Sequence, residues 1–521
     1  MIFTDPFFLF AFLPVVCAGF YLVSAKFGST GGLAVILAAS VAFYAPWGIW
    51  MLSVLLASVV VNFMFAQAML SLPESRLRLR KACFVSGELF NFGALIWFKY
   101  HFVQRLVFPA SAADLIVPIG ISFYTFHQAA FLADAFNREP RTVEYVGGLR
   151  TISDKLRGFV RYAAFVMFFP QLVIGPITYL REFQPQVTSR RFGQFRHSDA
   201  GIGLMLIALG MFKKVVIADN LALYVDPVFS QAANVGAGVG LDAALIWTAI
   251  LAYYAQLYFD FSGYSDMALG VGRLFGIRFP INFFSPLKAV GIIDFYRRWH
   301  MTLTRVISRF LYTPLSLAGT RFAVEHDWSG VRRLLIGVWV PLLINFEVIA
   351  LWHGATLTFV AFGLIHGVWY TMETQIRTTA AWKRWKRATS DRMRTFLGRA
   401  LFIVPMSLTF ALFRSADVGA AVTLVREALS FNVRDVRQFF LAESFPLLAF
   451  AFAVIYLMPN SVQLLGSWRP GLMTYENDAY QPRWLAVNWR PNWSWSAFML
   501  GLFAVSLYFA YRQPPFLYMG F

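Results

Sequence analysis

Apolar residues in this chain come in long continuous blocks rather than in narrow stripes. The blocks lie at about 6–25, 31–46, 49–70, 83–98, 117–136, 200–222, 243–262, 334–351, 355–373, 400–413, 445–458 and 494–511. A straight helical crossing of a bilayer needs about 20 such residues, and several blocks fall short, so the pattern predicts about ten to twelve crossings, some tilted or broken. The fold class that follows is an all-α polytopic membrane protein. With no tandem repeat and no low-complexity tract, we read 1–521 as one integral-membrane domain, with its core in 117–373.

Two stretches resist a simple count of crossings. "GFVRYAAFVMFFPQLVIGPITYLREF" (158–183) is followed by the basic loop "REFQPQVTSRRFGQFR". Pro170 and the Gly175–Pro176 pair break helical hydrogen bonding, which predicts a re-entrant segment covered by protein or by a water-filled cavity. The region 263–333 is too charged to cross and too aromatic to float in water. It predicts interfacial helices whose arginines reach the headgroups while Phe, Trp and Leu dip inward.

Composition agrees with the pattern. Hydrophobic residues make up 58% of the chain and charged ones 14%, against about a quarter charged in a soluble domain. The net charge of +18 sits in short loops, "SRLRLRK" (75–81), "NREPRTVEYVGGLRTISDKLRG" (137–158) and "RTTAAWKRWKRATSDRMRTFLGR" (377–399). Membrane orientation explains that distribution better than nucleic acid does, and it places these loops in the cytoplasm and the N-terminus outside. The first 26 residues lack a basic n-region and a small-residue cleavage site, so they predict a retained helix. Cys17 and Cys83 have no partner spacing and predict neither a disulfide nor a metal site.

Ionisable groups inside apolar blocks are costly and are functional candidates by default. His353, in "VIALWHGATLTFVAF" (348–362), has small residues beside it, which argues for open space next to the ring. A structural histidine is the competing reading. On a continuous helix Glu347 would lie about 240° and His366 about 220° round from it, on other faces. His300 ends "DFYRRWH", with Arg297 at i−3 favouring a neutral ring; an interfacial belt is its alternative. Asp260 and Asp266 in "YFDFSGYSDMALGVG" form a carboxylate pair if Gly263 bends the helix, or else anchor its end. His127, among Tyr124, Thr125 and Gln128, lines a pocket at most. Trp299 and Trp352, the neighbours of the two leading histidines, are further candidates for contact with substrate.

Several of these stretches resemble, in order, the membrane-bound O-acyltransferase family, in its bacterial polysaccharide branch. They are "VPIGISFYTFHQAAFLADAFNRE", "FFPQLVIGPI", "GLMLIALGMFKKVVIADNLA", "YFDFSGYSDMALGVGRLFGIRFPINF", "IIDFYRRWHMTLTRVISRFLYTPL", "LWHGATLTFVAFGLIHG", "FALFRSAD" and the terminal "PPFLYMGF". The resemblance implies a funnel of helices around a thin membrane floor, in a multi-pass protein of the cell inner membrane. It implies His353 of the W-H-G motif as catalytic and His300 of the R-R-W-H motif as the second site residue. No bound cofactor is implied. It implies an acyl donor, acetyl-CoA or another acyl thioester, arriving from the cytoplasm, with Arg297 and Arg298 placed to attract its phosphates. It implies an extracytoplasmic polysaccharide such as alginate as acceptor, reached through a periplasmic acyltransferase partner. Departures from the family pattern fall at Ser308–Arg309 and Ser316–Leu317. On physics alone, a flippase of lipid-linked sugars with a histidine proton relay, or a scaffold subunit of an export complex, also fits.

Overall fold

The computed structural model describes residues 1–100, 103–104, 116–147, 151–234, 242–430, 444–472, 487–510 and 517. Every regular element among them is helical, and one isolated bridge, Pro280 to Leu472, is their only strand-like pairing. Five helical stretches are long and apolar enough to cross a membrane: Phe8–Trp47, Ile49–Ser71, His197–Asn234, Gly330–His353 and Asp391–Arg414. Their outward faces carry apolar side chains such as Val15, Leu22 and Leu401, each at least 70% exposed. A surface of that kind is stable against lipid and not against water. The protein is a multi-pass, all-α membrane protein.

The first stretch is two arms rather than one rod. Gly28 has φ +66° and ψ −160°, outside the helical region, and the Phe8 and Phe43 rings meet at 5.8 Å. A straight helix would hold those residues about 50 Å apart. The blocks at 6–25 and 31–46 are therefore the two limbs of a hairpin.

The central helix, Ala243–Leu274, is buried along most of its length and packs against His197–Met211 and its continuation. Glycines permit the approach. A Cβ on Gly263 would come within 2.7 Å of the Gly210 carbonyl oxygen, and one on Gly270 within 2.6 Å of that of Gly203. Small residues at such a crossing let two backbones come close enough to gain packing energy that lipid cannot supply. Gly263 therefore does not bend the helix, which runs unbroken to Leu274. Asp260 and Asp266 are not a carboxylate pair either. Lys214 pairs with Asp260 at 2.7 Å and Lys213 with Asp266 at 2.6 Å, each from the neighbouring helix. The central helix also moves the start of the predicted interfacial region from 263 to beyond 274.

The segment 158–183 is broken as expected. The helix Ile152–Met167 stops at Phe168, Pro170 lies in the short turn Phe169–Leu172, and no regular structure follows until Leu180–Val187. Residues 162–180 are nevertheless all buried. The helix Pro140–Val146 touches both limbs: the Tyr145 carbonyl accepts from Arg161 at 3.4 Å, and Arg141 donates to the Arg181 carbonyl at 2.8 Å. The segment returns to the face it left. Its exposed peptide groups are met by side chains, with His127 Nε2 accepting from the Thr178 N–H at 3.1 Å and Thr302 Oγ1 from the Ile177 N–H at 3.2 Å.

The predicted interfacial region divides in two. Thr313–Glu325 buries only Ala323 and fits a surface position. Residues 279–300, in contrast, lie almost wholly inside the protein, with Arg298 at 0% exposure. Their aromatic residues pack a core rather than a lipid interface.

The glycine contact is open to a direct check. Gly263→Val should lower the thermal unfolding temperature of the detergent-solubilised protein, by the equivalent of about 1–3 kcal/mol of overpacking. Gly501→Ala, where a Cβ meets nothing within 4 Å, should leave it unchanged or slightly raised.

Candidate active site

His353 is the last residue of the helix Val340–His353, and the chain turns through Gly354–Thr356 into Leu357–Ile376. A Cβ on Gly354 would lie 2.6 Å from the Phe359 ring, so the glycine lets that ring close over the turn. Because the helix ends here, angles measured along a continuous helix do not apply to His366, which belongs to the next helix. Glu347 points toward that helix, with its carboxyl carbon 3.0 Å from where a Gly363 Cβ would be. His353 is 93% buried, and its ring meets Phe413 edge-on at 5.0 Å.

His300 occupies the turn between Ile292–Tyr296 and Met301–Ile307, with φ +44° and ψ +49°. A left-handed conformation is strained for a residue with a Cβ, and such strain collects at functional sites. Arg297 is not on its helical face, because the helix has already ended. What holds the turn is Asn282. Its Oδ1 lies 3.1 Å from His300 Nδ1 and accepts from Thr302 Oγ1 at 2.9 Å, while its backbone carbonyl accepts from the Met301 N–H at 3.0 Å. An amide oxygen only accepts, so Nδ1 carries the ring proton and Nε2 the lone pair. Sequence reasoning missed Asn282; a lone amide inside the apolar run "RFPINFF" was the available signal.

His300 and His353, distant in sequence, line one small cavity of about 40 Å³. Leu257 of the central helix, Trp299, Phe362, Phe410 and Phe413 form much of the rest of its apolar wall. Trp352 lies behind it, 4.6 Å from the His353 ring and 6.2 Å from that of His300. Its carbonyl accepts a hydrogen bond from Lys99.

Tyr296, Thr304 and Ile349 belong to the walls of this chamber and also of a larger cleft of about 480 Å³ beside it. Arg297, Ser308, Asn345 and Arg377 line that cleft, and Arg377 opens the basic loop 377–399. The two neighbouring arginines thus part company. Arg297 is exposed in the cleft, whereas Arg298 is buried in an ion pair with Asp294 at 2.8 Å. Arg298 does not face the donor side as the sequence reading expected.

Three other candidates lie elsewhere. Asp260 and Asp266 are held in their lysine pairs, and His127 supports the broken segment at Thr178; none of them lines the chamber. Of the departures from the family pattern, Arg309 pairs with Asp134 at 2.5 Å, Ser316 donates to the Gly337 carbonyl at 2.5 Å, and Ser308 lines the cleft.

Similarity to known proteins fits this geometry. The chain is 34% identical over 452 residues to the "Peptidoglycan O-acetyltransferase" of Helicobacter pylori, covering 83% of this chain and 80% of that one. It is 33% identical over 395 residues to the "Probable alginate O-acetylase AlgI" of Azotobacter vinelandii, covering 73% and 70%. A "Teichoic acid D-alanyltransferase" of Streptococcus thermophilus is 28% identical over 251 residues, covering 48% and 55%. Residues 89–416 match the family described as MBOAT, membrane-bound O-acyltransferase family. That span includes both histidines and every wall of the chamber, and the chain belongs to the membrane-bound O-acyltransferase family.

Proposed function

We propose that the protein moves a short acyl group, acetyl, from a cytoplasmic thioester such as acetyl-CoA toward a hydroxyl of an extracytoplasmic polysaccharide, with His353 as general base. The observation that carries this reading is the meeting of His300 and His353 in one small apolar chamber. A space of about 40 Å³ has room for about three water-sized groups. That is the size of an acetyl group and far below that of a lipid-linked sugar, so the chamber favours acyl transfer over sugar translocation. The relatives named as O-acetyltransferases support acetyl as the cargo and a cell-wall or exopolysaccharide acceptor such as peptidoglycan or alginate.

The chemistry follows from the groups present. A hydroxyl attacking a thioester must lose its proton as the C–O bond forms, and a neutral imidazole suits that task near neutral pH. His353 takes the proton. His300 presents the lone pair of Nε2, because Asn282 holds its proton on the other nitrogen, and so it orients the acceptor by receiving a hydrogen bond from it. A neutral His300 in that tautomer has no proton to offer an oxyanion. The apolar walls keep bulk water from hydrolysing the thioester. In the cleft, Arg297 supplies a planar cation for the donor's phosphates, while Arg377 beside it is paired with Glu373 at 2.6 Å. Delivery beyond the membrane through a periplasmic acyltransferase belongs to the same proposal, as does a place in the inner membrane.

His353→Ala should lower acetyl transfer from acetyl-CoA in proteoliposomes by about 10³-fold or more while inserting normally; near-normal turnover would rule the assignment out. His300→Ala should cause a large but incomplete loss, and Asn282→Leu should match it, because both remove the oriented acceptor for the incoming hydroxyl. Unchanged kinetics in either variant would reduce the pair to a structural turn. Arg297→Gln should raise the KM for acetyl-CoA with little change in kcat, checked by initial rates across donor concentrations. Sugar movement across the vesicle membrane without donor consumption would favour a transporter instead.

A further inference from the structure

Tyr296 lines the chamber, the large cleft and a second cleft beside Arg305. Its hydroxyl oxygen lies 2.7 Å from Nδ1 of His366, a side chain at 0% exposure on the helix Leu357–Ile376. The His366 ring is held by Phe362, stacked at 3.9 Å, and by the edge of Trp369 at 6.1 Å. Its other nitrogen, Nε2, has no hydrogen-bond partner among the described residues.

That asymmetry decides where the proton sits. A proton on Nε2 would bury an orphaned N–H, whereas a lone pair there is the lesser burden. Nδ1 therefore carries the hydrogen and donates it to the Tyr296 oxygen, which leaves the phenolic O–H to donate to a further acceptor. The acyl-transfer reading lacks such a donor, because His300 in its Asn282-bound tautomer offers none.

We propose that the Tyr296 hydroxyl donates to the carbonyl oxygen of the thioester as charge develops there, with His366 as its positioning residue. The inference rests on the acyl-transfer reading and deepens it. In the first half of the step the acceptor O–H gives its proton to His353, the C–O bond forms, and the carbonyl π pair moves onto oxygen, where the tyrosine hydrogen bond receives it. In the second half that pair re-forms the C=O bond and the C–S bond breaks. The bonding electrons leave on sulfur, which takes the proton from His353. No oxidant, reductant or further reactant is needed.

The test uses the full chain in proteoliposomes, with acetyl-CoA as donor probe and alginate or peptidoglycan fragments as acceptor probes. Tyr296→Phe keeps the ring packing and removes one hydroxyl; it should lower kcat by about 10²-fold, the usual loss for one oxyanion donor, with the KM for acetyl-CoA unchanged. His366→Leu should lower kcat similarly in the wild-type background and add nothing in the Tyr296→Phe background. His366→Asn, whose amide N–H stands near the place of Nδ1, should retain most of the rate. A Tyr296→Phe enzyme with wild-type kcat overturns the proposal, as does a loss that merely tracks the amount of folded protein. Multiplicative losses in the double variant overturn the role of His366. His353→Ala assayed alongside separates the two levels: an active His353→Ala enzyme sinks the acyl-transfer site itself, whereas an inactive one beside an unimpaired Tyr296→Phe enzyme sinks only the tyrosine.

Discussion

A polar group between the two leaflets has no water to turn to, so it must find its partner within the protein or cost several kcal/mol. Much of the architecture answers to that constraint. Asn62 and Asn91 exchange two side-chain hydrogen bonds of 2.8 Å between neighbouring helices. Lys213 and Lys214 each meet a carboxylate of the central helix. The broken backbone at Ile177–Thr178 is met by Thr302 and His127. Thr302 in turn donates a hydrogen bond from its hydroxyl to Asn282, which also holds His300. A short chain of hydrogen bonds thus runs from the re-entrant segment to the site. The segment's interruption and the histidine's orientation are two ends of one network.

The same constraint sorts the ionisable groups into structural and chemical ones. Removing one partner of a buried ion pair costs about 3–5 kcal/mol, so Asp260 and Asp266 are committed to their lysines and are poor candidates for proton traffic. An imidazole differs because its neutral form carries both a donor and an acceptor. It can be anchored through one nitrogen and still present the other, without a charge being buried. His300 does this through Asn282. A chamber walled by neutral rings and apolar side chains holds few groups that bind water.

Much of this was legible in the sequence because the bilayer imposes a coarse code. Long apolar blocks, the proline and glycine breaks at 170 and 175–176, and basic loops were sufficient for the all-helical membrane class and the broken segment. The first two blocks were readable as separate limbs, which part at Gly28. The failures share a cause. An angle reckoned along an unbroken helix put Arg297 on the face of His300, whereas that helix ends at Tyr296; His366 does face elsewhere, as expected, but because it belongs to the next helix. Gly263 was read as a hinge, whereas its missing side chain serves a neighbouring backbone. The region 279–300 was read as interfacial because its aromatic and basic residues have the composition of a membrane surface. Composition does not reveal that other helices cover it. Asn282 and Tyr296 lie within stretches that carry the family resemblance, but their roles come into view only through what they touch.

Both leading histidines sit where a helix stops, and there is a physical reason for the placement. Within a helix a side chain has a fixed register against its neighbours, so two rings on different elements meet only if both registers happen to agree. A break frees the ring to be aimed, at the cost of backbone strain. For His300 the left-handed turn costs about 1–3 kcal/mol. The side-chain and backbone oxygens of Asn282 together accept from His300 Nδ1, Thr302 Oγ1 and the Met301 N–H, each contact contributing about 0.5–1.5 kcal/mol. The two sums are comparable, and two of the three contacts run through the side-chain oxygen, so the amide carries much of what holds the turn. The residue that fixes the proton on His300 is therefore also the residue that holds its backbone, and aim and tautomer are set together.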